Sequence, residues 1–531
     1  NRIKEFYRDG LVFTNTVALS GGGDKGNFRA SISDANARGI TPAPDNRYTK
    51  RIFNLGLNQN LAKGLSFSFN VNYTKENNEN PPQVGAQGPG APNFLTRMST
   101  SIPIAAYRES AVAENGTERQ TSGFQGTLLN PYFAKGREFI LNERDRFLGT
   151  ATLRYDVTDW LYVQGRYNYD YSVSQLEFNN PTGRGTNTPF NNNGQGPGFN
   201  GLYHLEQSKG TEINTDFLIG ANREFGDFSV DLSVGGNIFK RDVGTFIDEV
   251  EDFTVRDLYS VQNGINKTVN NYTIFRDQTN SLYAFAEVGY KGLLYINLTG
   301  RQDWFSVLNP TANSEFYPSV SGSFIFSELL RDQSWLSYGK LRGSWAQVGS
   351  ANGIAPFSNA LFYDILPNQL HGRTLGTILG TRSPNALLRP FSVEERELGV
   401  ELRLFDSRVN LDVAAYDKVT TDQILPVQIS NASGYTDTQQ NVGSLQNRGL
   451  EVSVEVIPVK KNNFRWTSAF NTSLNTTKVL SIAPGTNRFV AQRFEGNEFI
   501  GSLVYEVGLP LNQLSANTYL RNENGDILLN E

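Results

Sequence analysis

Four carboxylates within five residues, Asp248, Glu249, Glu251 and Asp252, form the densest group of potential metal ligands in the chain. Oxygen ligands of this kind suit calcium, but their spacing matches no calcium-loop motif, and a solvated acidic loop is the preferred reading. The two histidines, His204 and His371, lie far apart in sequence, and no cysteine is present to complete a thiolate or zinc site. There is no nucleophile elbow, no Gly-rich phosphate loop opening a helix and no zinc-ligand spacing. Neither catalysis nor a cofactor is therefore expected. The residues left with binding chemistry are aromatics in long polar segments: Tyr132, Phe133, Phe190, Tyr203 and Phe362. Their rings can stack on a flat apolar ligand face while neighbouring Asn, Gln and Asp supply hydrogen bonds. These five are the candidates for substrate contact, and packing within the loops is the competing reading for each.

The elements that must position these residues show in the hydropathy pattern. From Leu65 to Thr74, Leu65, Phe67, Phe69, Val71 and Tyr73 alternate with Ser66, Ser68, Asn70, Asn72 and Thr74. Period two without a fault is a strand with different solvents on its two faces. The same alternation recurs over 147–157, 161–171, 228–234, 398–404 and 450–456, giving roughly 16–18 segments, most near the ~10 residues a tilted membrane strand needs. Arg, Asp and Glu stand in mid-strand on the polar face, as a wet interior allows.

The connections alternate between short and long. Tight turns fall at 61–64, 158–159, 226–227, 291–292, 406–407 and 458–463. Between them lie 76–145, 176–210, 243–278, 350–392 and 419–447, in part rich in Pro, Gly and Asn. Short turns at one end and long loops at the other are the mark of an outer-membrane barrel. A soluble sandwich has no reason to sort its connections this way. The expected fold is thus all-β: one large transmembrane antiparallel β-barrel domain spanning 1–531. The five tryptophans, Trp160, Trp304, Trp335, Trp345 and Trp466, sit in or near strand ends and are expected in interfacial aromatic girdles.

Composition fits. Hydrophobic residues make up only 38% of the 531, and mean hydropathy is -0.41, because only alternate residues need face lipid. No run of ~18 uncharged apolar residues exists to form a transmembrane helix. Absent cysteine suits a chain that crosses an oxidising periplasm. A net charge of -5 excludes a basic nucleic-acid footprint. No charged-then-apolar leader opens the chain, so Asn1 is expected to be an internal position of a longer precursor.

Several segments resemble SusC/RagA-type TonB-linked transporters of Bacteroidota. They are Phe6–Gly10 with Asn15–Gly22, then 29–31 and 50–54, Phe316–Ser321, Lys340–Gly349, Glu394–Glu401, Asn441–Gly443, Asn447–Glu451, Asn471–Asn475, Gly508–Pro510 and Asn524–Asp526. In that family a short segment ending in Gly follows the plug, and a strand ending in Gly-Gly begins the barrel. The resemblance implies a barrel of about 22 strands filled by an N-terminal plug and opened by TonB. It also implies a SusD-like surface lipoprotein that lids the barrel, pairing into dimers, and an oligosaccharide or peptide as cargo. The plug and TonB box are expected before Asn1 and the last strands after Glu531, with lipid and lipopolysaccharide around the wall. The expected function is active import of a bulky nutrient across the outer membrane. The alternatives are a structural or secretion-associated barrel, a lidless siderophore-type receptor and, less fitting for its length, a passive porin.

Overall fold

The structure, a computed structural model, describes residues 2–42, 45–81, 101–118, 130–135, 137–184, 199–378, 380–495, 499–516 and 518–527. Its strands are β1 (Leu11–Gly23), β2 (Gly26–Pro42), β3 (Asp45–Ala62), β4 (Leu65–Glu79), β5 (Ile140–Asp156), β6 (Leu161–Asn180), β7 (Leu202–Phe225), β8 (Phe228–Phe253), β9 (Gly264–Tyr290), β10 (Leu294–Phe305), β11 (Ser314–Phe324) and β12 (Leu336–Ser350). Three short ones follow, β13 (Asp364–Leu370), β14 (Arg373–Thr377) and β15 (Arg382–Ser383), then β16 (Phe391–Leu404), β17 (Val409–Gln428), β18 (Asp437–Lys461) and β19 (Phe464–Ser481). The last are β20 (Arg488–Glu495), β21 (Phe499–Glu506) and β22 (Gln513–Ser515). β1–β12 and β15–β19 are seventeen strands of one sheet, β13 and β14 form a hairpin, and β20–β22 form a small separate sheet. Seventeen falls within the range expected from the alternation. Among the described residues no helix is long and apolar enough to cross a membrane.

Contacts group the chain into two compact units. One comprises Asn1–Asp156, Gln164–Asp216 and Phe239–Arg276; the other comprises Val157–Val163, Phe217–Ile238 and Asp277–Glu531. In the first unit β1 to β5 pair antiparallel in chain order. The register sets like against like. Ala30, Leu55, Val71 and Gly149 form one row, and Ile32, Phe53, Tyr73 and Phe147 the next on the same face. One pleat period further, that face changes to Asp34, Arg51, Lys75 and Asp145. Arg51 pairs with Asp34 at 3.1 Å, and the Tyr73 hydroxyl donates to Asp145 at 2.6 Å.

The second unit repeats the arrangement. β9 to β12 and then β16 to β19 pair antiparallel in chain order. Leu398, Ala415, Leu450 and Leu474 form an apolar row, and Arg396, Asp417, Arg448 and Thr476 lie one period beyond it. Arg448 meets Asp417 at 2.9 Å, and the Trp345 indole N–H donates to Glu394 at 3.0 Å. In both units the apolar face ends on a belt of ion pairs and aromatic hydroxyl or indole groups. From Leu65 to Tyr73 the apolar run covers about 26 Å of strand, close to the apolar band of a membrane barrel once tilt is allowed for.

Two sequence expectations are corrected by these strands. β7, β8 and β9 hold 24, 26 and 27 residues, well beyond the ~9–11 needed to cross a bilayer. Much of 176–210, 243–278 and 419–447 is therefore paired strand rather than loop. Past the belt both faces meet water, so the hydropathy alternation fades while the backbone ladder continues. For the same reason the acidic cluster lies on the final residues of β8 and not in a loop.

Candidate functional site

The polar face has two characters. In the first unit an amide surface stands beside a few ion pairs, Lys50 with Glu76 at 2.8 Å and Arg166 with Asp216 at 2.9 Å. Asn72 donates to Asn54 at 2.6 Å, Asn58 donates to Asn27 at 3.0 Å, and Thr150 donates to Asn168 at 2.8 Å. Asn27, Arg29, Ser31, Asn54, Asn70 and Thr150 line a shallow concavity of about 420 Å³. In the second unit the polar face is ionic. Arg342 reaches Asp412 at 2.8 Å and Glu397 at 3.3 Å, and Glu401 joins Lys340 at 2.8 Å and Arg403 at 2.9 Å. Each of these charges is paired, so the face is wet and charged.

Beyond the long-connection end of the strands, each unit builds an apolar layer of its own. In the first, Tyr203, Val250 and Phe253 are buried together with Phe139, Leu205, Tyr259 and Val261 around them. Nearby, Phe6, Ile104 and Tyr107 form a second cluster with Tyr7, Ile102 and Tyr132 at its edge. In the second unit Phe305, Val307, Leu308, Tyr317, Ala351, Ile354 and Leu388 are buried together. Pro318 helps to set this cluster: the β11–β12 ladder runs from Ser319↔Ala346 to Phe324↔Leu341 and goes no further. Proline has no N–H to extend it.

Buried polar groups stitch the first unit's layer together. The Asn179 side chain accepts from Phe139 N at 2.7 Å and donates to Arg137 O at 2.7 Å. Arg184 pairs with Glu138 at 2.5 Å, their side chains 7% and 12% exposed. Burial pushes the Glu138 carboxyl above its ordinary range, and Arg184 opposes that shift. Burial likewise pushes the hydroxyls of Tyr203 and Tyr259 up to about 12, helped at Tyr203 by its hydrogen bond to Glu177 and at Tyr259 by Asp257.

The residues singled out by sequence fall as follows. Phe133 is 1% exposed and Tyr203, in β7, 7%; both are enclosed by protein neighbours. Tyr132 lies edge-on to Phe6 at 5.6 Å. Phe362 is 58% exposed in the connection before β13. Phe190 lies outside the described residues. The structure thus brings Tyr132 and Phe133 together in the short helix Pro131–Ala134 and leaves Phe362 apart in the other unit. His204 stacks on Phe178 at 4.4 Å and bonds to Glu249 at 2.9 Å, while His371 holds the tip of the β13–β14 hairpin at φ 50.

The acidic cluster is also engaged. Thr268 donates to Glu249 at 2.9 Å, Asn266 to Asp252, and Asn270 to Asp248 at 3.5 Å. Burial, then Glu249 and Asp252, push the Glu251 carboxyl upward. Among the described residues no group of three or more His, Cys, Asp or Glu could hold a metal ion. Sequence reasoning missed Asn179, Glu138 and Arg184; the Asn-Asn-Pro run at 179–181 signalled a turn but not a strut.

Comparison with known proteins decides the family. The family described as TonB dependent receptor-like, beta-barrel, matches residues 105–526. The chain belongs to the TonB-dependent receptors. It is a β-barrel protein of the bacterial outer membrane, in a family of transporters rather than enzymes, and its polar face is the lumen face. It is 26% identical over 482 residues to TonB-dependent receptor P26 of Formosa agariphila, covering 89% of this chain and 46% of that one. It is 24% identical over 225 residues to TonB-dependent receptor SusC of Bacteroides thetaiotaomicron, covering 40% of this chain and 22% of that one. A solved structure of the RagAB peptide transporter aligns with TM-score 0.78 at 15% identity, over 96% of this chain and 55% of that one. This chain spans about half the length of P26 and of TonB-dependent receptor P3 of the same organism.

Family motifs acquire physical meaning in this receptor. Gly449, in Asn447–Glu451, faces Tyr416 across the β17–β18 ladder, and a Cβ there would stand 2.3 Å from the tyrosine ring. Gly349, closing Lys340–Gly349, leaves the same room for Tyr317, 2.7 Å away. Both glycines seat a neighbouring strand's tyrosine. The opening motif keeps its expected order, with Gly10 closing the segment ahead of β1 and β1 ending on Gly21, Gly22 and Gly23. Phe6 is buried against Ile104 and Tyr107, in the long connection after β4, so the segment ahead of β1 lies with the long connections.

Proposed function

We propose that this receptor takes part in TonB-dependent active import of a bulky nutrient, an oligosaccharide or a peptide, across the outer membrane. One observation carries the reading: the family match runs from 105 to 526, across residues of both units, over strands whose lumen face is hydrogen-bonded polar side chains. It also supports reading the chain as one barrel domain. A barrel of this size leaves a wide channel unless plugged, so import needs a plug and an energy input, supplied by an N-terminal plug domain and TonB. A SusD-like lipoprotein capturing cargo at the mouth belongs to the same proposal, as does assembly of the pair into dimers. The amide surface suits neutral hydroxyl-rich or peptide cargo, because Asn offers donors and acceptors together. Of the described candidates, Phe362, exposed in the connection before β13, is the one left free to meet cargo.

The test is gentle detergent purification of the full-length protein from its native membrane, with mass spectrometry of what accompanies it, and cargo uptake in cells with and without TonB. Near-equal amounts of a SusD-like lipoprotein and uptake lost without TonB are the expected outcomes. A barrel that comes alone points to a lidless receptor. Secretion proteins in its place, or TonB-independent uptake, would end the import reading.

A further inference from the structure

β9 outlasts its neighbour. Its ladder with β10 ends at Thr279↔Phe305, with Ser306 N still donating to Gln278 O at 2.9 Å. The chain then reverses through 306–313 into β11. β9 continues for fourteen more residues, Gly264 to Asp277. On its other side β8 stays with it to the end: Arg276 bonds to Asp242 at 2.7 Å, and Asn266 reaches Asp252. Gln278 faces β10, so the alternation of an antiparallel strand aims the N–H and C=O of Asn266, Thr268, Asn270, Tyr272, Ile274 and Arg276 away from β8. Among the described residues no backbone hydrogen bond from outside the strand ladders reaches them. All six are exposed, Tyr272 to 64% and Ile274 to 50%.

This is a free strand edge about 33 Å long, standing in water beyond the charged belt. Natural edges of this length are blunted by proline, by a bulge, by inward charge or by a covering loop. No proline interrupts 264–277, and side-chain contacts hold β8 and β9 in one register from Phe228 beside Tyr290, through Asp242 beside Arg276, to Asp248 beside Asn270. A row of alternating donors and acceptors at strand spacing is complementary to another extended polypeptide. A second copy of this edge does not fit. Copies in one membrane are related by an axis along its normal, so their β9 strands run the same way, whereas like edges pair only antiparallel.

We propose that the outer edge of β9, residues 266–276, docks an extended segment of a different polypeptide at the cell surface by strand addition, with Tyr272 and Ile274 as its apolar anchors. This holds whatever cargo is imported. The test compares amide hydrogen exchange over 266–276, by fragmentation mass spectrometry, in the full-length protein in isolated native outer membranes and purified alone. Amides of the even-numbered residues are expected to slow about tenfold or more in the native membrane and to recover on purification. Ile274→Pro removes one outward N–H without touching the β8 ladder, so it should abolish the slowing while the protein still migrates as folded barrel; Ile274→Val, which keeps both the N–H and the apolar side chain, should keep it. A photocrosslinker at Tyr272 should then capture polypeptide in wild-type membranes but not in Ile274→Pro. Equal exchange in both preparations would overturn the proposal: fast in both means no partner, and slow in both means the chain covers its own edge. Slowing that survives Ile274→Pro, or a crosslink to lipopolysaccharide, would overturn it as well.

Discussion

The strands below the charged belt and the layer above it are built on opposite rules. Below the belt, large apolar side chains such as Leu398, Phe470 and Leu474 point out of the protein, and polar ones point in, where they find one another. Above it, Phe133, Val250 and Leu388 are buried, and charges that stay inside, such as Arg184 and Glu138, are paired. The outward face turns from apolar to charged over one pleat, from Ile32 and Phe53 to Asp34 and Arg51. The cause is the solvent. In hydrocarbon the backbone must be fully paired and the side chains apolar; in water a connection gains order only by making a core.

The sharpest way to break this comparison is truncation. Phe133→Ala, in the buried layer, leaves a cavity and should cost about 3–5 kcal/mol of local stability. Phe470→Ala should cost much less, because lipid fills the space. Proteolysis of the native protein against urea concentration measures both; equal costs would mean that the outward face is packed against protein.

Next comes charge. Phe69→Arg places a cation in the apolar band and should cost about 2–4 kcal/mol, whereas Asn70→Arg, one residue on and facing the lumen, should cost under about 1 kcal/mol. The fraction recovered as folded barrel in heat-modifiability gels reports the difference.

A smaller effect separates the two regions by pH. Glu138 and Glu251 lie above the belt with carboxyl pKa values raised from 4.5. A raised acid destabilises the fold when ionised, so the penalty is present above the folded-state pKa. It is relieved as pH falls through that value and gone below the unfolded value of about 4.5. Protection factors around 137–139 and 248–253, corrected for the intrinsic pH dependence of exchange, should therefore rise as pH falls from neutral toward about 4.5, with Glu138→Gln flattening the response at 137–139. The smallest effect is expected at the belt: Asp417→Asn exposes no core and should cost under about 1 kcal/mol, less at high salt.

Much of the lower region was legible because two solvents impose a strict period of two. Leu65–Thr74 displays its faces residue by residue, and β4 follows them to the pleat. Strand ends above the belt were not legible. From Asn266 to Arg276 both faces are wet, so nothing in the pattern separates a strand from a loop, and the acidic residues of β8 were read as loop for that reason. The mouth layer was half legible. Tyr203 and Phe133 stood out as aromatics, but only the fold places them beside Val250 and next to Asn130. The strut of Asn179 between Phe139 and Arg137 joins positions some forty residues apart, which no local pattern encodes.

The most direct measurement uses the absence of cysteine from the chain. Single cysteines placed from 65 to 79 in the full-length protein, spin-labelled in liposomes, would report oxygen and nickel accessibility position by position. Oxygen maxima are predicted at 67, 69, 71 and 73, with nickel maxima at 68, 70 and 72, and nickel access on both faces from Lys75 onward. Uniform nickel access with no period of two, or an oxygen maximum persisting at 75 and 77, would contradict both the lipid-facing band and the belt that ends it.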